Sequence, residues 1–276
     1  MSRGGRSVIL VAALAVVPLM VYWDTVVGMA GLWSTESYRH GYLIPVISLL
    51  LLWRDRSRYS SLSIHGSWLG AGLLGALVLL WLVADATSVQ QVEQLSVVLM
   101  VSAFVLTVVG LEGYHRVWFP LAFLLFAVPI GGSLIPQLMD ATATIAVSAL
   151  QMFDVPALRE GMTISLPGGT FEIVEACSGF NYLNAGVALG VLVSHLMFRQ
   201  LWKQMSYVIA VVGVFILVNG LRAFIVMFVG STSHMQVFVG KDHVFFGWAL
   251  FLSAMALMYW VAEKYSDRRE EQPGVG

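Results

Sequence analysis

Charge and cysteine are both scarce in this chain. Only 11% of its 276 residues are charged, and there is one cysteine, Cys177. A lone thiol excludes an internal disulfide and any cysteine-pair metal site. There is no His-Glu-x-x-His, and no helical stretch carries two histidines four apart, so metal-ligand spacing is missing and neither a metal nor another cofactor is expected. The charges sum to −1 and form no basic block, which argues against a nucleic-acid partner. Gly168-Gly169 is too short and too isolated to cradle a phosphate. The first apolar run follows Arg3 and Arg6 as in a leader peptide, but no small-residue cleavage site follows it, so it is read as a retained helix. No repeat or linker divides the chain. It is expected to form one transmembrane domain, 1–265, with a charged, Pro/Gly-containing cytoplasmic tail, 266–276, too polar to order itself.

What the chain has is apolar length. Hydrophobic residues make up 58% of it and the mean hydropathy is +0.82. Repeated runs approach the ~20 residues a helix needs to cross a ~30 Å hydrocarbon layer. The fold class follows: an all-α polytopic membrane protein with about eight transmembrane helices. The runs fall at 7–23, 40–53 (short), 67–84, 95–111, 117–131, 180–198, 205–228 and 244–262. The connections between them alternate in charge. Arg3, Arg6, Arg54, Arg56, Arg58, Arg116, Arg199, Lys203, Lys264, Arg268 and Arg269 share one side, and only Arg39, Arg159 and Lys241 share the other. Eleven against three places both termini in the cytoplasm.

The one long interruption, 132–178, falls on the outer face between the fifth and sixth spans. Its first part, 134–153, holds Pro136, Asp140 and many small residues and reads as an interfacial helix. Then the period changes to two. Met162, Ile164 and Leu166 alternate with Thr163 and Ser165, Pro167-Gly-Gly169 supplies a turn, and Phe171, Ile173 and Glu175 resume the alternation. That pattern predicts a β-hairpin that delivers the chain to Glu175 and Cys177 in a fixed orientation.

Three residues from three different spans arrive at one depth on this outer side. Cys177 stands just before the sixth span, within Glu175-Ala-Cys-Ser-Gly179. Taken alone, a membrane cysteine is most often a small buried hydrophobe. Asn219 and Arg222, three apart and so on one helical face, lie near the outer end of the seventh span. An arginine inside a span costs about 2.5–3.5 kcal/mol on the insertion scale, so it should face a polar cavity or partner; the bland alternative is snorkelling to headgroups. His243 opens the eighth span, and Gly247, one turn on, would let a neighbouring helix approach closely. Together the three have a chemical logic. A helix start and a nearby cation favour the thiolate, a histidine can move its proton, and an arginine can meet an oxyanion or a substrate carboxylate. Glu175, Ser178, Asn219, Arg39 and His40 are the supporting or substrate-binding candidates, the last two at the outer start of the second span. Two other readings remain open on these residues. One is a carrier or flippase associated with exopolysaccharide export, with Arg222 and Arg39 on anionic headgroups; the other is a lipid-modifying acyltransferase with His243 as base.

Three motifs in this order carry a resemblance. Val174-Glu-Ala-Cys-Ser-Gly179, Asn219-Gly-Leu-Arg222 and His243-Val-Phe-Phe-Gly247 are similar to those of the exosortase and archaeosortase family, as are Tyr38-Arg-His-Gly-Tyr-Leu-Ile-Pro45 and Val128-Pro-Ile-Gly-Gly-Ser-Leu-Ile-Pro136. Within the family the chain most resembles bacterial exosortase A. The resemblance implies a multi-pass cysteine protease and transpeptidase of the inner membrane, its active site facing the periplasm. Its partners would be exported proteins ending in a short Pro-Glu-Pro type motif, a transmembrane helix and a basic cluster, together with the lipid bilayer and an amine-bearing acceptor. It further implies Cys177 as nucleophile, Arg222 as oxyanion or substrate arginine and His243 as acid and base. One departure stands out: many members carry arginine two residues after the Cys-Ser-Gly triplet, where this chain has Asn181.

Overall fold

The computed structural model of the chain describes residues 3–59, 64–233 and 242–267, with the side chains of Arg3 and of residues 242–244 outside that description. Two compact units divide at Ile130 and Gly131.

The first unit holds α1 (Arg3–Val21), α2 (Trp23–Leu32), a 3-10 helix (Glu36–Tyr42), α3 (Leu43–Arg54), a 3-10 turn (Arg56–Tyr59), α4 (Trp68–Ala86), α5 (Gln90–Phe123) and a second 3-10 helix (Leu124–Ala127). Its core gathers Val8 and Val11 of α1, Leu52 of α3, Tyr59, and Val101, Val105, Val109, Val117 and Leu121 of α5. The 34 residues of α5 would run about 50 Å as one straight helix, well beyond the ~30 Å of a bilayer core. The helix is in fact broken at Gly110, where φ 71 and ψ 177 leave the helical region. A Cβ there would stand 2.7 Å from the His65 carbonyl oxygen, so only glycine fits the break. The break comes at the end of the fourth expected span. The short second expected span is α3, twelve residues preceded by the 3-10 helix, and the stretch read as an outer connection after the first span contains α2.

The second unit begins with a 3-10 turn (Gly132–Leu134) and α6 (Ile135–Met152). A three-stranded antiparallel sheet follows, in the order β1 (Leu158–Glu160), β2 (Thr163–Leu166), β3 (Gly169–Glu172). The β2–β3 pair is the expected hairpin, with Ile164 opposite Phe171. Strand β1 is an addition, and Arg159 anchors it by donating to Asp140 Oδ1 (2.6 Å), Thr144 Oγ1 (2.8 Å) and the Gly161 carbonyl (2.8 Å). A 3-10 turn (Glu175–Cys177) then leads into α7 (Phe180–Met197), α8 (Leu201–Thr232) and α9 (Asp242–Lys264). Two apolar clusters hold this unit. One joins Ala143, Ala146 and Leu150 of α6 to Ile164, Leu166 and Ile173 of the sheet region and to Phe224 and Met227 of α8. The other joins α7, α8 and α9 through Val193, Val211, Phe215, Met255 and Met258. Ser266 and Asp267, the first residues of the expected tail, fold back onto the end of α7. Ser266 Oγ and the Asp267 amide both donate to the Met197 carbonyl, and the Asp267 carboxylate accepts from the Arg199 amide and the Lys203 ammonium.

Among the described residues, seven helices (α1 and α4 to α9) are long and apolar enough to cross a membrane by length and composition. They include α6, the helix expected at the interface.

Candidate functional site

The chain reaches Cys177 by way of the hairpin, and α8 fixes where it arrives. The β2–β3 turn is pressed so closely on the C-terminal end of α8 that a Cβ on Gly168 would lie 2.3 Å from the Ser231 carbonyl oxygen. From there Ile173 is buried, the 3-10 turn carries Cys177, and Gly179 reverses the chain into α7 with φ 73. The Cys177 side chain is half-buried and packs beside the α6, sheet and α8 cluster.

Asn219 on α8 receives this turn. Its side-chain amide donates one hydrogen to the Cys177 carbonyl (2.9 Å) and the other to Thr142 Oγ1 on α6 (2.8 Å). Thr142 is free to accept because its own hydroxyl donates to the Leu138 carbonyl one turn back (2.7 Å). The amide orientation follows from the network, since the reversed amide would set its oxygen against the Cys177 carbonyl oxygen. The contact also needs the glycine: a Cβ on Gly179 would fall 2.4 Å from the Asn219 side-chain carbon. Ser178 is buried and its Oγ accepts from the Phe180 amide (3.2 Å), while Asn181 Oδ1 accepts from the Tyr182 amide (3.0 Å). Those side chains take up two amides of the first turn of α7, so what the helix start offers Cys177 is its field more than its donors.

Arg222 lies one turn beyond Asn219. Its guanidinium carbon sits 5.9 Å from the ring centroid of Tyr182 on α7, within cation–π range. No described residue accepts a hydrogen bond from it, and its Nε is buried. Gly247 of α9 makes room for both groups, since a Cβ there would lie 2.8 Å from the Tyr182 hydroxyl and 3.0 Å from Arg222 Nε. This is the close approach expected of that glycine. Two cavities of about 10 Å³, each with room for a single water molecule, flank Asn219. One lies toward Thr142 and Ser178, the other toward Tyr182, Arg222 and Gly247.

The cysteine, arginine and glycine motifs therefore meet in the second unit. His243 falls in the first turn of α9, one turn before Gly247, and its side chain lies outside the described residues. Glu175 is exposed, and its carboxylate has no hydrogen-bond or ion-pair partner among the described residues. Arg39 and His40 belong to the first unit, on the 3-10 helix Glu36–Tyr42, with Arg39 exposed and His40 half-buried beside the Phe126 backbone. Among the described residues no three His, Cys, Asp or Glu side chains gather closely enough to hold a metal ion. Thr142 and Tyr182 were not among the expected site residues. Nothing in the sequence marks them, because their partners lie 77 and 40 residues away, on α8, and no local period links them.

A family model described as transmembrane exosortase matches residues 32–260. No curated protein and no solved structure matches the chain.

Proposed function

The chain belongs to the transmembrane exosortase family, and from that premise we propose that it is a cysteine transpeptidase that cuts exported proteins at a membrane-anchored C-terminal sorting signal. The observation that carries the reading is the bond from Asn219 to the Cys177 carbonyl, with Arg222 one turn further along the same helix and packed on Gly247. One helix thus ties the thiol-bearing turn to a half-buried cation with no hydrogen-bond acceptor among the described residues, and to the start of the histidine-bearing helix.

In the proposed reaction, His243 takes the thiol proton and the Cys177 thiolate attacks the scissile carbonyl. The tetrahedral intermediate collapses to a thioester, and His243 gives its proton to the departing amine of the C-terminal segment. Arg222 serves the oxyanion or an acidic residue of the sorting motif. An amine acceptor then attacks the thioester, releasing the transferred protein and returning the thiol. A site enclosed by helices disfavours water and so favours transfer over hydrolysis. In this reading both termini lie in the cytoplasm and Cys177 on the periplasmic side of the inner membrane, where the anchor helix of the substrate would approach laterally. Because Asn181 stands where many relatives carry arginine, an acidic motif residue would have to meet another cation, such as Arg222 on the helix that holds the Cys177 turn or Arg39.

The test is processing of a tailed substrate in cells, followed by immunoblot. Cys177→Ser, Arg222→Ala and His243→Ala, each present in the membrane at the wild-type amount, should lose processing by at least about a hundredfold. Undiminished processing by Cys177→Ser would remove the thiol from the mechanism and favour a carrier role for Arg222.

A further inference from the structure

Two buried polar atoms, on residues that line the second small cavity, have no hydrogen-bond partner among the described residues. They are Asn219 Oδ1, on a side chain 8% exposed, and Arg222 Nε. Both residues line the same cavity, three apart on one face of α8, with Tyr182 and Gly247 as its other polar and small walls. The two atoms are complementary: an amide oxygen only accepts and a guanidinium Nε–H only donates. Leaving either buried without a partner is costly, and together they can be satisfied by one molecule that both accepts and donates. At about 10 Å³ the cavity has room for one water.

We infer that a single internal water bridges Arg222 Nε and Asn219 Oδ1, which makes Asn219 the positioning residue that joins the Cys177 turn to Arg222. The hydrogen-bond chain then runs from Arg222 through the water to Asn219 and on to the Cys177 carbonyl and Thr142. With Nε occupied on the cavity side and the guanidinium lying over Tyr182, the two terminal nitrogens are the edge left for substrate. Binding is therefore end-on, and a side-on fork through Nε is excluded. The same geometry accounts for glycine at 247, because a methyl group 3.0 Å from Arg222 Nε would stand in the space of the water. The role given to Arg222 here rests on the proposed peptide chemistry; the water itself does not.

The experiment is a structure of the full chain in lipid nanodiscs, at a resolution that shows ordered water, as wild type, Asn219→Leu, Asn219→Asp and Gly247→Ala. Substrate processing is measured on the same preparations. In the wild type a density peak should lie about 2.7–3.2 Å from both atoms. It should persist in Asn219→Asp, which keeps an acceptor oxygen, and vanish in Asn219→Leu and Gly247→Ala, with the Arg222 side chain displaced in both. Processing should fall at least about tenfold further in Asn219→Leu than in Asn219→Asp. A wild-type cavity without such a peak, or Arg222 unmoved in Asn219→Leu, overturns the inference. If Cys177→Ser processes normally while the peak is present, the peptide chemistry fails and the water bridge stands.

Discussion

Gly179 carries two constraints that separate cleanly from each other. Its φ of 73 lies where an L side chain costs roughly 1–2 kcal/mol, and its missing side chain is the space Asn219 occupies. Gly161, in the β1–β2 turn, shares the first constraint with φ 64, but a Cβ there would meet nothing within 4 Å. The pair therefore distinguishes backbone strain from displacement of the site. Gly161→Ala should cost about 1 kcal/mol in thermal unfolding of the solubilised protein and leave substrate processing within about twofold of wild type. Gly179→Ala should cost at least about 2 kcal/mol, because the backbone strain is joined by overpacking against a buried amide that cannot move without giving up two hydrogen bonds. It should also abolish processing. Equal effects of the two alanines on processing would mean that the Asn219 contact does not hold the Cys177 turn in place.

The elements of the second unit are fastened at both ends of α7, and the C-terminal end is sensitive to pH. There the Asp267 carboxyl is held below its ordinary value, first by the hydrogen bond from Lys203 and then by the Arg199 amide. A lowered value in the folded state means that the unfolded chain binds the proton more readily. The contribution of this clasp is then complete above the ordinary Asp value of about 4 and is lost as pH falls through the lowered folded value. Hydrogen exchange at the α7–α8 junction should accelerate over that acid window in the wild type, and Asp267→Asn should remove the acid dependence. A junction equally protected across the window in both proteins would show that the clasp is not what holds it. None of this clasp was legible in the sequence, where 266–276 has the composition of a free tail. The span-length helices were legible, because apolar runs of that length have few other stable forms in a bilayer, whereas the ten-residue α2 was not. So was the β2–β3 hairpin, whose alternation around Pro167-Gly-Gly169 is strong over a short stretch. Strand β1 was not: Leu158-Arg-Glu160 is three residues long, and what fixes it is a set of bonds from Arg159 to α6 and to Gly161. The break at Gly110 was visible only as a division between two spans. Its cause, the approach of the His65 carbonyl, is a contact across 45 residues. At the site, Asn219, Arg222 and Gly247 could be picked out by residue type and order, while Thr142 and Tyr182 acquire a role only through packing.

At the scale of the whole molecule the reading depends on which side of the membrane the Cys177 turn occupies. The charge count argues for the outer side, with eleven basic residues in the connections assigned to the cytoplasm and three in those assigned outside. The scarcity of cysteine makes this directly measurable, because Cys177→Ser leaves a chain with no thiol of its own. Into that background two single cysteines can be placed at exposed positions: Thr170 in β3, close in the chain to Cys177, and Gln200 between α7 and α8. The two sites flank α7, whose 18 residues rise about 27 Å, nearly the thickness of the hydrocarbon core. In spheroplasts a membrane-impermeant maleimide should label Thr170→Cys at once and Gln200→Cys only after permeabilisation. The reverse pattern would put the thiol on the cytoplasmic side, out of reach of a sorting motif on an exported protein, and would end the proposed transpeptidase function whatever the chemistry of Cys177. Labelling of both from outside would mean that α7 does not cross, and the field of its N-terminus would then act on a turn exposed to bulk water, where it is too weak to favour a thiolate.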